Sequence, residues 1–172
     1  MTTGLTHIAL GLGSNIGDGP AALRAAVAEL GRGGVEDAVM SPLYATSPIG
    51  PVAQPDYTNA VVAARTGLGP RELLGLCKRI ERAMGREPGG MRWGPRPIDI
   101  DILLYGNVSV NEPDLVIPHA EMGNRLFVLV PLLDVAADMI VPGQGGAVRE
   151  FAGPRILRLE TTDQKIRKII EI

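Results

Sequence analysis

The chain has a single cysteine, Cys77, among 172 residues, so no intrachain disulfide is available to it. A lone thiol suits a reducing compartment, and the cytoplasm is the expected location. Aromatic residues are scarce, at 3%: Trp93, three tyrosines and two phenylalanines. With so few, an aromatic beside polar residues is a candidate stacking surface. A basic excess is also missing. The net charge is −2 at pH 7, which argues against nucleic-acid binding, where Lys and Arg normally dominate. No apolar run approaches the roughly 20 residues of a membrane span. The opening "MTTGLTHIAL" lacks the basic-then-apolar order of a secretory signal. What is left is a soluble globular class, 45% hydrophobic, long enough for one domain with its own core.

Glycine (22) and proline (14) are plentiful and punctuate the chain. "HIALGLGSN" (7–15) reads as a strand ending in a glycine-rich turn. "GPAALRAAVAEL" (19–30) reads as a helix with Leu23, Val27 and Leu30 on one face, Asp18 as N-cap and Gly31 as stop. Residues 35–47 read as one strand, 49–56 as a Pro/Gly loop and 57–66 as a strong strand. A helix is expected over 69–85, with Pro70 in its first turn and a stripe of Leu73, Cys77, Ile80 and Met84. Residues 85–97 form a Gly/Pro/Arg loop, and 98–106 a strand. The stretch 125–136 begins as helix and is expected to break at Pro131.

This order of strand, helix, strand, strand, helix, strand predicts an α+β, ferredoxin-like sandwich, its sheet mainly antiparallel. One domain is expected over 1–158. The remainder, 159–172, carries two of the three lysines and reads as a short helix or a tail.

The chemistry concentrates in "RWGPRPIDIDILLYG" (92–106). Side chains alternate along a strand, so Ile98, Ile100, Ile102 and Leu104 are expected on the core face. Asp99 and Asp101 then share the other face with Leu103 and Tyr105. Two ionised carboxylates so placed repel, and a divalent cation relieves that. Mg²⁺ favours a few carboxylates completed by phosphate oxygens. Arg86, Arg92 and Arg96 precede the acids in a loop with four glycines. Arginine with Mg²⁺ is the recurring apparatus of phosphoryl transfer.

Elsewhere, "GLGSNIG" fails both phosphate-loop spacings and reads as a turn from which Asn15 can offer its amide. Tyr57 and Asn59, two apart on a strand, suit a flat heterocycle: a ring face beside a donor and acceptor. His119 has no Cys/His cluster around it, which disfavours a histidine metal site. Cys77 sits on an apolar helix stripe as a core thiol.

Taken together, "ALGLGSNIGD", "SPLYATSPIGP", "QPDYTNAVV", "RIERAMGR", "RWGPRPIDIDILLYG" and "IPHAEMGNRLFVLVPL" resemble the 6-hydroxymethyl-7,8-dihydropterin pyrophosphokinase family, in its order, over roughly residues 7–143. The resemblance implies a ferredoxin-like fold with mobile active-site loops. It implies pyrophosphate transfer from ATP to the hydroxymethyl group of the pterin, giving AMP, in folate biosynthesis. It further implies that Asp99 and Asp101 hold two Mg²⁺ ions and that Arg86 and Arg96 act catalytically on the transferring group. The pterin site would comprise Thr46, Ile49, Tyr57, Asn59, Trp93, Asp99, Arg125 and Phe127. The ATP site would comprise Lys78, Glu81, Arg86, Arg92, Trp93, Arg96, Ile102 and His119. The chain departs from the family pattern at "EPGG" and Asp114, so no nucleotide contact is carried over to Pro88, Asp114 or Ala120. The expected protein is a monomer that binds ATP and the pterin, associates with other folate-pathway enzymes, and touches neither nucleic acid nor membrane.

Two other classes compete. A catalytically silent ferredoxin-like regulatory domain needs neither the acid pair nor the loop arginines. A nucleotide hydrolase uses the same acids but leaves Tyr57, Asn59 and Phe127 without purpose.

Overall fold

A computed structural model describes residues 4–90 and 94–169. Strand β1 (Thr6–Ser14) is followed by helix α1 (Gly19–Arg32), β2 (Val35–Met40), β3 (Tyr44–Thr46), β4 (Tyr57–Thr66), α2 (Pro70–Ala83) and β5 (Asp99–Tyr105). A hairpin of β6 (Val110–Glu112) and β7 (Leu115–Ile117) leads to a single 3-10 turn, Met122–Asn124. Then come α3 (Leu126–Ala136), the short ribbon β8 (Ile140–Val141) and β9 (Gly146–Ala147), α4 (Val148–Leu159) and β10 (Ile166–Lys168).

The main sheet has six strands in the order β10-β3-β4-β1-β5, with β2 pairing farther along β4. Every pairing in it is antiparallel. Counting β2 and β3 as one interrupted strand gives the ferredoxin-like order predicted above. The interruption is chemical. Pro42 has no N–H to give a ladder, and Ser41 substitutes locally: its N–H donates to the Val61 carbonyl (2.8 Å) and its Oγ accepts from the Val61 N–H (3.0 Å). The single strand expected over 35–47 is therefore two.

The sheet carries helices on both faces. Leu23, Leu30, Leu73, Cys77 and Ile80 of α1 and α2 pack on Ile8, Leu10, Val62 and Ile100. On the other face, Leu126, Leu129 and Leu132 of α3 and Phe151 of α4 pack on Ala9, Val61, Leu103 and Leu104. The caps of the first layer are as the sequence implied: the Asp18 carboxylate accepts from the Ala21 N–H at 2.9 Å, and Pro70 lies in the first turn of α2. α1 ends one residue past the expected Gly31 stop.

Three further expectations need correction. First, α3 runs unbroken through Pro131. The lost backbone bond costs about 3 kcal/mol, and burial of Leu126, Val128, Leu129 and Leu132 outweighs it. Second, the alternation of β5 fails after Ile102. Ile102 pairs with Leu10 and Leu104 with Ala9, so Leu103 is an inserted residue. Such a bulge puts neighbouring side chains on one face. Leu103 and Leu104 both enter the second core, and Tyr105 turns to the first. Third, the segment 159–172 holds strand β10 on the sheet edge, not a helix. Helix α4, with Gly153 and Pro154 inside it, had no periodic signal strong enough to read. No helix among the described residues is long and apolar enough to cross a membrane.

Candidate active site

The second face of the sheet is roofed by α3 at one end only. At the other end lies a cavity of about 720 Å³. Its floor follows from the sequence of β1. Leu10 and Leu12 face the first core, which turns Gly11 and Gly13 to the cavity. In register, Gly11 lies beside Asp101, and Gly13 lies between Asp99 and Asn59. A Cβ on Gly13 would meet Asn59 Oδ1 at 2.8 Å and the Tyr57 ring at 3.6 Å. The alternating glycines of "GLG" hollow out the floor, and that alternation was the signal that reading the stretch as a turn missed.

One wall carries Thr46, Ile49, Tyr57 and Asn59, and the opposite wall Arg125 and Phe127. All six were expected at a pterin site. The Asn59 side-chain amide donates to Thr46 Oγ1 at 2.6 Å, and both residues are buried. The Tyr57 hydroxyl donates to the Gly94 carbonyl at 3.4 Å, and burial pushes its phenol up. Arg125 stands 5.7 Å from the Phe127 ring centre, within cation–π range. Asn15 is not free for a ligand. Its amide donates to Gln54 Oε1 (2.9 Å) and the Pro55 carbonyl (3.1 Å), and its Oδ1 accepts from the Arg96 N–H (2.8 Å). It ties the end of β1 to two loops.

Asp99 and Asp101 enter the cavity together. Arg86 and Arg96 both donate to Asp99, Arg96 at 3.1 Å. Behind them stands Glu81, 1% exposed. Its Oε1 accepts from the Ile100 N–H (2.8 Å) and pairs with Arg86 (2.7 Å), while Oε2 takes Lys78 Nζ at 3.0 Å. The result is a line of alternating charge from Lys78 to Arg96. Burial works to raise the Asp99 carboxyl, but Arg86 and Arg96 outweigh it and hold it below the ordinary range. Among the described residues, Asp101 has no guanidinium on it. Burial, then the charge of Asp99, pushes it up to about 6. Facing away from the first core therefore did not spare Asp101 the cost of burial.

His119 Nε2 lies 3.9 Å from Asp101 Oδ2, beyond hydrogen-bond length. Its Nδ1 accepts from the Glu121 N–H at 3.2 Å, so the neutral ring carries its proton on Nε2, toward Asp101. Burial, then Arg125, lowers its pKa and keeps it neutral at pH 7.

The remaining expected residues divide. Lys78, Glu81 and Arg86 border Asp99 from the α2 side and do not line the cavity. Ile102 is buried in the first core, on the face opposite the carboxylates. Arg92 and Trp93 lie outside the described residues. Among the described residues, no three His, Cys, Asp or Glu side chains gather as a metal cluster. A pair of carboxylates, one lacking a counter-charge, still fits Mg²⁺, which takes one or two carboxylates and completes its shell with substrate phosphate and water.

A family model described as 7,8-dihydro-6-hydroxymethylpterin-pyrophosphokinase matches residues 9–137. A Haemophilus influenzae protein named 2-amino-4-hydroxy-6-hydroxymethyldihydropteridine pyrophosphokinase is 39% identical over 154 residues, covering 87% of this chain and 96% of its own. A Methylorubrum extorquens protein of the same name is 45% identical over 147 residues, covering 85% and 91%. A mitochondrial folate synthesis bifunctional protein of Arabidopsis thaliana is 44% identical over 134 residues, 78% of this chain but 24% of that one. The fold resembles that of wild-type Plasmodium falciparum HPPK-DHPS, crystallised with pteroate, at TM-score 0.69 and 15% identity. That match covers 91% of this chain and 43% of the other. The chain thus spans about a quarter of the Arabidopsis protein and under half of the Plasmodium chain.

Proposed function

The chain belongs to the 7,8-dihydro-6-hydroxymethylpterin-pyrophosphokinase family, and on that premise we propose that it transfers pyrophosphate from ATP to 6-hydroxymethyl-7,8-dihydropterin in folate biosynthesis. One observation carries this reading. A cavity lined by Tyr57, Asn59 and Phe127 also holds two carboxylates, one of them paired with Arg96 and Arg86.

The pterin occupies the cavity, its ring against Tyr57 and Phe127 and its amide edge against Asn59 and the Thr46–Ile49 loop. Its hydroxymethyl group then points to Asp99 and Asp101. Oxygen of that group forms a bond to the β-phosphorus of ATP. The bond from that phosphorus to the α-bridging oxygen breaks, AMP leaves, and the alcohol proton passes to solvent. The nucleophile is a neutral alcohol, so catalysis comes from placement and charge compensation. Arg86 and Arg96 are held by Asp99, aimed where negative charge moves. Asp99 and Asp101 would hold two Mg²⁺ ions, which when bound neutralise the ATP phosphates. His119 presents an N–H to the phosphate side, and Lys78 and Glu81 frame the nucleotide region. Arg92 and Trp93, which lie outside the described residues, are assigned to the ATP side by the family resemblance alone. The protein works as a cytoplasmic monomer able to associate with other folate enzymes.

The test is product identification. The protein is incubated with Mg²⁺, ATP and hydroxymethyldihydropterin, and nucleotides are separated by chromatography. AMP formed only when the pterin is present supports the reading. ADP or phosphate released without pterin would point to a hydrolase instead.

A further inference from the structure

The family match stops at residue 137, yet one residue of the C-terminal segment enters the cavity. Gln164 lines it, and also lines an adjoining hollow of about 500 Å³ between the Thr46–Gly50 loop and residues 162–165.

The contacts of Gln164 are specific. Its Oε1 accepts from the Leu126 N–H at 2.9 Å, and its Nε2 donates to the Asn124 carbonyl at 2.9 Å. These two backbone groups flank Arg125. Arg125 is extended, at φ −128° and ψ 114°, between the 3-10 turn and α3. Its own side chain does not cap α3. The first N–H groups of a helix have no internal partner and need one from elsewhere. Gln164 supplies it, and only one orientation of its amide satisfies both bonds. Gln164 is itself held from both sides. Before it, α4 ends at Leu159, packed in the second core. After it, β10 pairs with β3, Ile166 opposite Thr46, and the Ile169 N–H donates to the Leu43 carbonyl at 2.7 Å.

We infer that Gln164 is a positioning residue for the pterin pocket, clamping the backbone at Arg125 so that Arg125 and Phe127 face the ligand. The same segment, through β10, backs Thr46 and so the Thr46–Asn59 bond on the opposite wall. The C-terminal segment thereby fixes the spacing of both walls. This inference rests on the pterin reading above for its ligand, but the clamp itself is independent of it.

Two measurements on the full chain separate the parts. Pterin affinity is followed by the fluorescence of hydroxymethylpterin, and amide exchange at Leu126 is followed without ligand. Gln164→Ala should weaken pterin binding about 10-fold, the scale of a lost hydrogen bond at an organised site. It should also expose the Leu126 amide to exchange while changing ATP affinity less than twofold. Gln164→Glu keeps the acceptor for Leu126 but sets a carboxylate oxygen against the Asn124 carbonyl, so it should restore the Leu126 protection and only part of the affinity. Pterin binding by Gln164→Ala within twofold of the parent overturns the inference. So does an equal loss of pterin and ATP binding with a collapsed Tm, which marks a scaffold role. If the parent protein binds no pterin, the functional reading fails, and Leu126 exchange still decides the clamp.

Discussion

Asp99 and Asp101 stand two residues apart on one strand, yet the molecule surrounds them in opposite ways. Asp99 receives two guanidiniums, and one of these is steadied in turn by the buried Glu81. Asp101 receives none among the described residues; a neutral histidine faces it at 3.9 Å. The first carboxyl is held below its ordinary range and the second raised to about 6. A fully compensated acid is a structural anchor as well as a ligand. An uncompensated one costs stability, and that cost is recovered only when a cation arrives.

The largest way to break this contrast is to neutralise each acid in turn. Asp101→Asn should lower turnover by about 10³-fold or more, the scale of losing charge stabilisation at the reacting group. It should also raise the Tm of the metal-free protein, because a repulsive, poorly solvated charge is gone. Asp99→Asn should cost similar turnover but lower the Tm, since Arg86 and Arg96 lose their counter-charge. Thermal melts with and without Mg²⁺, beside steady-state rates, check both. Opposite signs of the Tm changes are the diagnostic result, and equal signs would erase the distinction.

Next in size is the arginine side. Arg96→Ala should reduce kcat by about 10²-fold and change the KM values much less, as expected for a contact that strengthens as charge moves. An effect confined to KM would make Arg96 a binding residue. Smaller again is Glu81→Gln. The amide oxygen can still accept from the Ile100 N–H, but the charge facing Lys78 and Arg86 is lost. Denaturant unfolding should show a loss of about 2 kcal/mol. Glu81 lies at the junction of α2 and β5, so this loss should appear whether or not ligands are present.

The same contrast marks where the sequence could be read. The pairing of Asp99 with Asp101, and of Tyr57 with Asn59, followed from period two along a strand, which needs no tertiary knowledge. The α1 and α2 faces followed from period 3.6 and from Asp18 and Pro70 at the ends. What escaped depended on long-range contacts. The bulge at Leu103 is set by how β1 and β5 twist together, not by a local residue signal. α3 survives Pro131, and α4 survives Gly153 and Pro154, because burial overrides propensity. Gln164 carries no motif, and its partners lie 38 and 40 residues away. Glu81 was expected near ATP by resemblance, but its burial and its bond to β5 came only with the fold. The cavity over the second face was likewise invisible, so period two could not show that Asp101 is part-buried in it.

The smallest expected effect follows from that confinement. A carboxyl raised in the folded state binds its proton more tightly there than in the unfolded chain. Between about pH 4 and pH 6 the folded protein therefore holds more protons, and stability falls as pH rises through that window. Asp99, held low, acts in the opposite direction, but over a more acidic range. Asp101 is 36% exposed, so solvent screening leaves the decline on the order of 1 kcal/mol. Urea unfolding of metal-free protein from pH 4.5 to 7.5 should show it, and Asp101→Asn should flatten it. Saturating Mg²⁺ should flatten it too, because a cation at Asp101 favours the ionised form. That last result separates confinement from cation binding. If Asp101→Asn removes the slope but Mg²⁺ does not, the carboxylate is strained for some purpose other than holding metal.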